Sequence, residues 1–449
     1  MQKILKFIIP SLLGIFLFMI PITQDGNITI PVAILSSTLM NFLMPIIPYI
    51  LFFTILVTGI GTIIAVFFKP DWIMKNNFLH TLFYTTPVWF ILRMIAVVFV
   101  SCTLFTVGPE AIWSENTGGL IMSGLLPTLF SIFFFAGLLL PLLLNFGLLE
   151  FVGSLLVKLM RPVFKLPGRS AIDCIASWLG DGTIGVLLTS KQYEEGFYSE
   201  REATIIGTNF SLVSITFSLV IINQVGLGHL FVPFYLTVTL ACIVAAIVVP
   251  KFGPLKKKRD ILFDGSEKLP SEDLPEGYTG LSYGFERALD RAEKESIVKS
   301  IFIDGSKNVV DMWFAVIPMV MAIGTLALII AEHTPFFKYL GLPFVPILSV
   351  LGIPEAVAAG QTLMAGFADM LLPSVMATSA GIQSPLTLFV IASISVCQLI
   401  YLSEVGAVLL ASKIPVNLKE LFIIFLQRTL ITLPIIAGIA HLFSMLGMF

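Results

Sequence analysis

The 449-residue chain is 57% hydrophobic and 12% charged, with a mean hydropathy of +0.98, a composition that excludes an ordinary soluble domain. The net charge of −2 says nothing about nucleic acid, but no basic stripe exists to bind it, so no nucleic-acid partner is expected. Cys102, Cys174, Cys242 and Cys397 lie apart in apolar segments without CxxC spacing, so they read as reduced core thiols and neither a disulfide framework nor a metal centre is expected.

In chain order, Lys3 and Lys6 precede an apolar run with no small-x-small cleavage site, which reads as a retained first helix. A hydrocarbon core of roughly 30 Å needs about 20 apolar residues in a helix. By that rule nine spans are predicted: Ile4–Ile22, Ile46–Phe68, Leu82–Val107, Ile121–Gly147, Thr204–Ile222, Leu230–Val249, Val309–Ala331, Leu386–Leu409 and Leu421–Met445. Ile30–Met44, which precedes Pro45 and Pro48, is expected to lie against the membrane. Residues 251–300 carry 20 of the 54 charges and form the one soluble-looking stretch, with an amphipathic helix expected over 284–300.

Between the spans lies a degenerate repeat. Arg161–Ser190 and Val345–Ser374, 184 residues apart, share seven identities in 30 positions, among them Gly168 with Gly352 and Gly182 with Gly366. Each copy is a pair of short apolar stretches split at the same glycine. Gapped apolar segments at matching places in two halves point to a transporter binding site. The excess of lysine and arginine in alternate loops puts the N-terminus, the first gapped segment and the 251–300 stretch in the cytoplasm, and the second gapped segment and the C-terminus outside. The expected architecture is an all-α polytopic membrane protein with about nine transmembrane helices and two re-entrant helical hairpins in two inverted repeats. Its parts are a scaffold (1–110), a first repeat (120–250, hairpin 170–193), a charged linker (251–300) and a second repeat (301–446, hairpin 354–379).

The strings GRSAIDCIASWLGDGTIGVLLTSKQYEEGFYSEREA (168–203), NVVDMWFAVIPMVMAIGTLALIIAEHTPFF (308–337), AGFADMLLPS (365–374) and QLIYLSEVGA (398–407) resemble the Gate or nucleoside-recognition family, and within it the YjiH-type membrane proteins. The resemblance covers most of residues 120–446. It implies a fold related to concentrative nucleoside transporters, with inverted repeats and re-entrant hairpins on an N-terminal scaffold. Gly360-Gln361-Thr362 is similar to a GQT element of those transporters, but Leu363 stands where they carry an acidic residue, so that role does not carry over.

Ionisable groups inside a membrane are costly and usually functional. Asp181, between Gly180 and Gly182, sits at the first hairpin tip, Asp369 follows the break in the second, and Glu404 lies late in the eighth span. Arg93 reads as the only basic group at depth. Asp181 and Asp369 also sit where helix caps belong, Glu404 suits an interhelical pair, and Arg93 suits the scaffold. Asn209, Gln361, Thr362, Gln398 and Ser403 cluster on the hairpins and adjacent spans; helix–helix hydrogen bonds are their ordinary use. Together with Gly180, Gly182, Asp181, Asp369 and Glu404 they form the candidate solute and ion site.

The acidic balance favours a cationic or zwitterionic solute such as an amino acid or dipeptide-like compound, with Na⁺ or H⁺ as coupling ion and no other cofactor. The expectation is an ion-coupled secondary transporter in a bacterial plasma membrane, in contact with lipid and forming a homo-oligomer. A non-transporting membrane scaffold and a nucleoside transporter are the alternatives. The absence of GxxxxGK[ST] speaks against ATP-driven transport, and the absence of HExxH, GxSxG or clustered histidines against an enzyme.

Overall fold

The computed structural model describes residues 2–20, 22–24, 27–179, 182–210, 213, 215–267 and 278–449. Among the described residues the regular structure is helical apart from a small antiparallel pair, Ile22–Gln24 with Asn27–Thr29, and an isolated bridge. Gln2–Met19 (α1) and Pro31–Leu43 (α2) lead into the apolar helices Ile47–Phe68 (α3), Pro87–Phe105 (α4) and Glu110–Leu144 (α5). Leu148–Phe164 (α6) then precedes two short antiparallel helices, Ser170–Leu179 (α7) and Gly182–Glu194 (α8). Glu200–Asn209 (α9), Ile215–Gln224 (α10) and the long Gly228–Lys251 (α11) complete the first half.

Gly280–Lys294 (α12) opens the second half, followed by Lys299–His333 (α13) and a second short pair, Ala356–Phe367 (α14) and Leu372–Ser379 (α15). Pro385–Gln398 (α16), Val405–Ala411 (α17) and Leu418–Met445 (α18) end the chain. Six of these helices (α3, α4, α5, α11, α13 and α18) are long and apolar enough to cross a bilayer. Large apolar side chains such as Phe42, Phe67 and Val350 stand exposed on the outer surface, whereas a solvated protein would bury them. Threonines and serines inside turn back on their own helices, as Thr58 does to the carbonyl of Thr54 at 2.8 Å.

Two expected continuous spans are interrupted. Thr204–Ile222 divides between α9 and α10, and Leu386–Leu409 divides between α16 and α17. Hydropathy did not reveal this, because the breaks open on apolar residues, Phe210 and Leu399, and isolated polar residues such as Ser403 and Glu404 do not by themselves end an apolar span. The carbonyls freed at a helix end must be satisfied in lipid, and the partners that do so come from elsewhere in the chain.

α5 and α13 form the centre. Gly137 faces Val309, where an added Cβ would lie 2.8 Å from the Val309 backbone nitrogen, so only glycine allows this approach. Nearby, Trp313 stacks on Phe130 at 4.1 Å and donates its indole N–H to the Phe130 carbonyl at 3.0 Å. Both helices widen into π turns, at Ile121–Leu125 and Met312–Val316, just before Pro127 and Pro318. A proline lacks the N–H that would bond one turn back, which loosens the turn ahead of it.

The linker helix α12 starts earlier than expected and buries Gly284, Ala288 and Ala292 against α6 and α1. Phe285 meets Phe7 edge to face at 6.0 Å. Residues 258–261 are also held to the membrane domain. Lys258 pairs with Glu420 at 3.0 Å and Glu200 at 3.8 Å, and the backbone N–H of Glu200 donates to the Ile261 carbonyl.

Candidate functional site

Each short helical pair is closed at its base by a carboxylate. In the first, buried Asp173 accepts hydrogen bonds from Thr189 at 2.9 Å and Gln192 at 2.6 Å, joining α7 to α8. Gly185 permits the close packing, since its Cβ would lie 2.6 Å from Ser177 Cβ. In the second, Glu355 accepts the backbone N–H groups of Gln383 and Ser384, both at 3.2 Å, tying the start of α14 to the start of α16. Outside the spans, Glu195 packs near Arg291 at 3.9 Å, and burial raises its carboxyl pKa against the pull of Arg291 and Arg169.

The break in the second pair meets the break between α16 and α17. Leu402 N–H donates to the Phe367 carbonyl at 2.8 Å and Ser403 N–H to the Ala368 carbonyl at 2.9 Å. Ser403 Oγ donates to Asp369 Oδ2 at 2.7 Å, while Asp369 Oδ1 accepts the Leu371 N–H at 2.8 Å in a capping role. Leu399 occupies φ +62, a region costly for a branched side chain. Glu404 stands half-buried at the start of α17, where the helix dipole favours a carboxylate, and accepts the Tyr401 hydroxyl at 3.2 Å.

Gln398 links three elements. Its side-chain nitrogen donates to the Leu363 carbonyl at 3.0 Å and to Thr429 at 3.1 Å. Its Oε1 is buried without a partner among the described residues. Gly366 makes room for it: a Cβ there would lie 2.0 Å from that oxygen. Thr362 is buried and bonds locally to the Ala359 carbonyl at 2.8 Å, and Gln361 is half-buried on α14.

The first pair also touches this assembly. Gly182 lies against Val405, its would-be Cβ 3.2 Å from Val405 Cγ2. Gly180 and Asp181 fall outside the described residues.

Arg428 corrects the expectation that Arg93 is the only basic group at depth. Midway along α18, Arg428 is wholly buried. Its Nε donates to the Cys397 carbonyl at 2.8 Å, and Nη1 donates to the Asn209 carbonyl at 2.9 Å and to Asn209 Oδ1 at 2.7 Å. Asn209 ends α9, and Cys397 is the penultimate residue of α16. One guanidinium thus holds the negative ends of both interrupted helices, and no carboxylate among the described residues pairs with it. The Asn209 side chain is committed to this link and to the Ala245 carbonyl at 3.1 Å. The rule that singled out the deep carboxylates also applies to the Gln427-Arg428 step inside the last span.

Arg93 is buried in the scaffold, and its Nη1 donates to the neutral acceptors Thr62 Oγ1 at 2.8 Å and the Leu82 carbonyl at 2.9 Å. It lines a cavity of about 330 Å³ with Trp89, Ser190, Lys191, Asp311 and Lys413. Lys191 bridges Glu194 at 3.3 Å and Asp311 at 3.5 Å, and Ser190 accepts the Lys413 backbone N–H at 3.2 Å. The cavity therefore opens between the scaffold, the first helical pair and α17.

The profile of the Gate family, described as nucleoside recognition, matches residues 126–228. The chain is also 51% identical over 439 residues to the uncharacterised protein BpOF4_10220 of Alkalihalophilus pseudofirmus, covering 98% of this chain and 94% of that one. No solved structure matches. The chain is a membrane protein with a Gate domain and belongs to one family with the Alkalihalophilus protein.

Proposed function

We propose that this chain is a secondary transporter that moves a small polar solute by alternating access, coupled to Na⁺ or H⁺. The observation that carries the reading is the main-chain pairing of 402–403 with 367–368, which brings a helix break and a hairpin break together beside Asp369, Ser403 and Glu404. Broken backbone at membrane depth is tolerated where it is buried in protein or lines a cavity, and transporters use such breaks to bind solutes and ions. The 330 Å³ cavity, bordered by the scaffold, the first helical pair, α13 and α17, is the size of a small-molecule pocket.

Arg428 does not reverse the acidic balance, because its charge is spent on helix-end carbonyls. Asp369, Glu404 and Gln398 Oε1, which has no partner among the described residues, favour a cation, supplied by the solute or by the coupling ion. A cationic or zwitterionic amino acid or dipeptide-like compound fits this best. The Gate match keeps nucleosides as the second solute class. Proteoliposome uptake of amino acids, dipeptides, polyamines and nucleosides, with and without a Na⁺ or proton gradient, tests the proposal. Gradient-driven accumulation of one class is expected. Absence of any flux would favour the non-transporting scaffold, and accumulation of nucleosides alone would favour the second class.

A further inference from the structure

A second, smaller cavity lies away from the helix breaks. It measures about 250 Å³, its floor is apolar (Phe164, Ile205, Ile247 and Pro250 among others), and its charged lining residues are Lys165, Arg201, Lys251 and Lys256. No carboxylate lines it. Among the described residues, the ion pair made by a cation of the ring is that of Arg201 with Asp260 at 3.7 Å, a carboxylate itself largely exposed. Lysines and arginines ordinarily crowd the cytoplasmic loops of membrane proteins, so their number alone means little. Here, however, cations from three separate segments converge on one apolar recess. Lys165 caps the end of α6 in a left-handed conformation, Arg201 lies in the first turn of α9, Lys251 ends α11 and Lys256 follows it.

We propose that this recess binds the headgroup of an anionic phospholipid, with its phosphate among Lys165, Arg201, Lys251 and Lys256 and its glycerol and upper acyl region against Ile205 and Ile247. The site has one sign of charge around an apolar floor, which suits an amphiphile better than a free ion. Val163, an exposed lining residue, and Phe252, exposed next to Lys251 in the chain, offer apolar surface for the acyl chains. Basic pockets between helices at a membrane surface attract anionic lipid with about 1 kcal/mol per cation, roughly a fivefold change in affinity each. An occupied site would brace the ends of α6 and α11 against the start of α9, the helix that α18 holds through Arg428.

Native mass spectrometry of the full-length protein, titrated with phosphatidylglycerol or phosphatidylcholine, tests this. One saturable phosphatidylglycerol is expected, with phosphatidylcholine retained at least tenfold more weakly. The triple variant Lys165→Gln/Lys251→Gln/Lys256→Gln should lose about a hundredfold in apparent affinity. A control triple of exposed lysines outside the recess, Lys299→Gln/Lys307→Gln/Lys419→Gln, should not. Ile247→Trp fills the floor without changing charge and should also weaken retention, whereas inorganic phosphate should not compete at millimolar concentration. Equal losses in both triples would reduce the effect to general surface charge and overturn the proposal. Full displacement by inorganic phosphate, with Ile247→Trp silent, would make this a free-anion site and overturn it equally. Binding is read without transport, so this result and the uptake assay can fail independently.

Discussion

Asp369 and Arg428 show how differently a buried charge can be used. Asp369 keeps a half-exposed carboxylate whose oxygens serve a local cap and Ser403, so Asp369→Asn preserves volume and most of the fold. Asp369→Asn and Glu404→Gln are expected to lower uptake at least tenfold with unfolding temperatures close to the parent, and Glu110→Gln to change neither. Asp181→Asn belongs in the same series on sequence grounds. Full activity in all three would return these carboxylates to capping and pairing. Arg428 is the opposite case. Arg428→Met would strand the carbonyls of Asn209 and Cys397 and the Asn209 side chain in a dry interior, costing about 3 kcal/mol or more. A large fall in thermal stability, partly restored in Arg428→Lys, is the outcome to look for by scanning fluorimetry.

At the scale of elements, the second helical pair depends on Gly366 because Gln398 occupies the space a side chain would need. Gly366→Ala should therefore destabilise by about 1–3 kcal/mol, the range for overpacking a tight interior. Truncating the obstacle tests the cause: Gly366→Ala/Gln398→Ala should be less damaged than the two single changes predict, a coupling measurable in a double-mutant cycle. Additive losses would mean that Gly366 matters for its backbone alone. The short pairs themselves were visible in the sequence as gapped apolar stretches around Gly182 and Gly366. The interruptions of Thr204–Ile222 and Leu386–Leu409 were not, because Phe210 and Leu399 are no more polar than their helical neighbours. Hydropathy measures transfer from water. It carries no signal for which carbonyl finds a partner on another helix.

Across the whole molecule, sidedness remains the most direct test of the inverted arrangement proposed from loop charges. In a variant lacking Cys102, Cys174, Cys242 and Cys397, a cysteine at Glu195 should react with an impermeant maleimide only from the cytoplasmic face, and one at Ser379 only from outside. Reaction of both from one face would end the inverted-repeat reading while leaving the helix breaks untouched. The membrane character, the two gapped segments, the charged linker and the carboxylates at 369 and 404 were all set by composition and spacing, since apolar length and the cost of burying charge are local properties. Tertiary structure alone decided that two continuous-looking spans are broken, that Arg428 closes both breaks, and that Ser403 meets Asp369. These depend on where a distant donor or acceptor comes to rest, which no stretch of sequence contains.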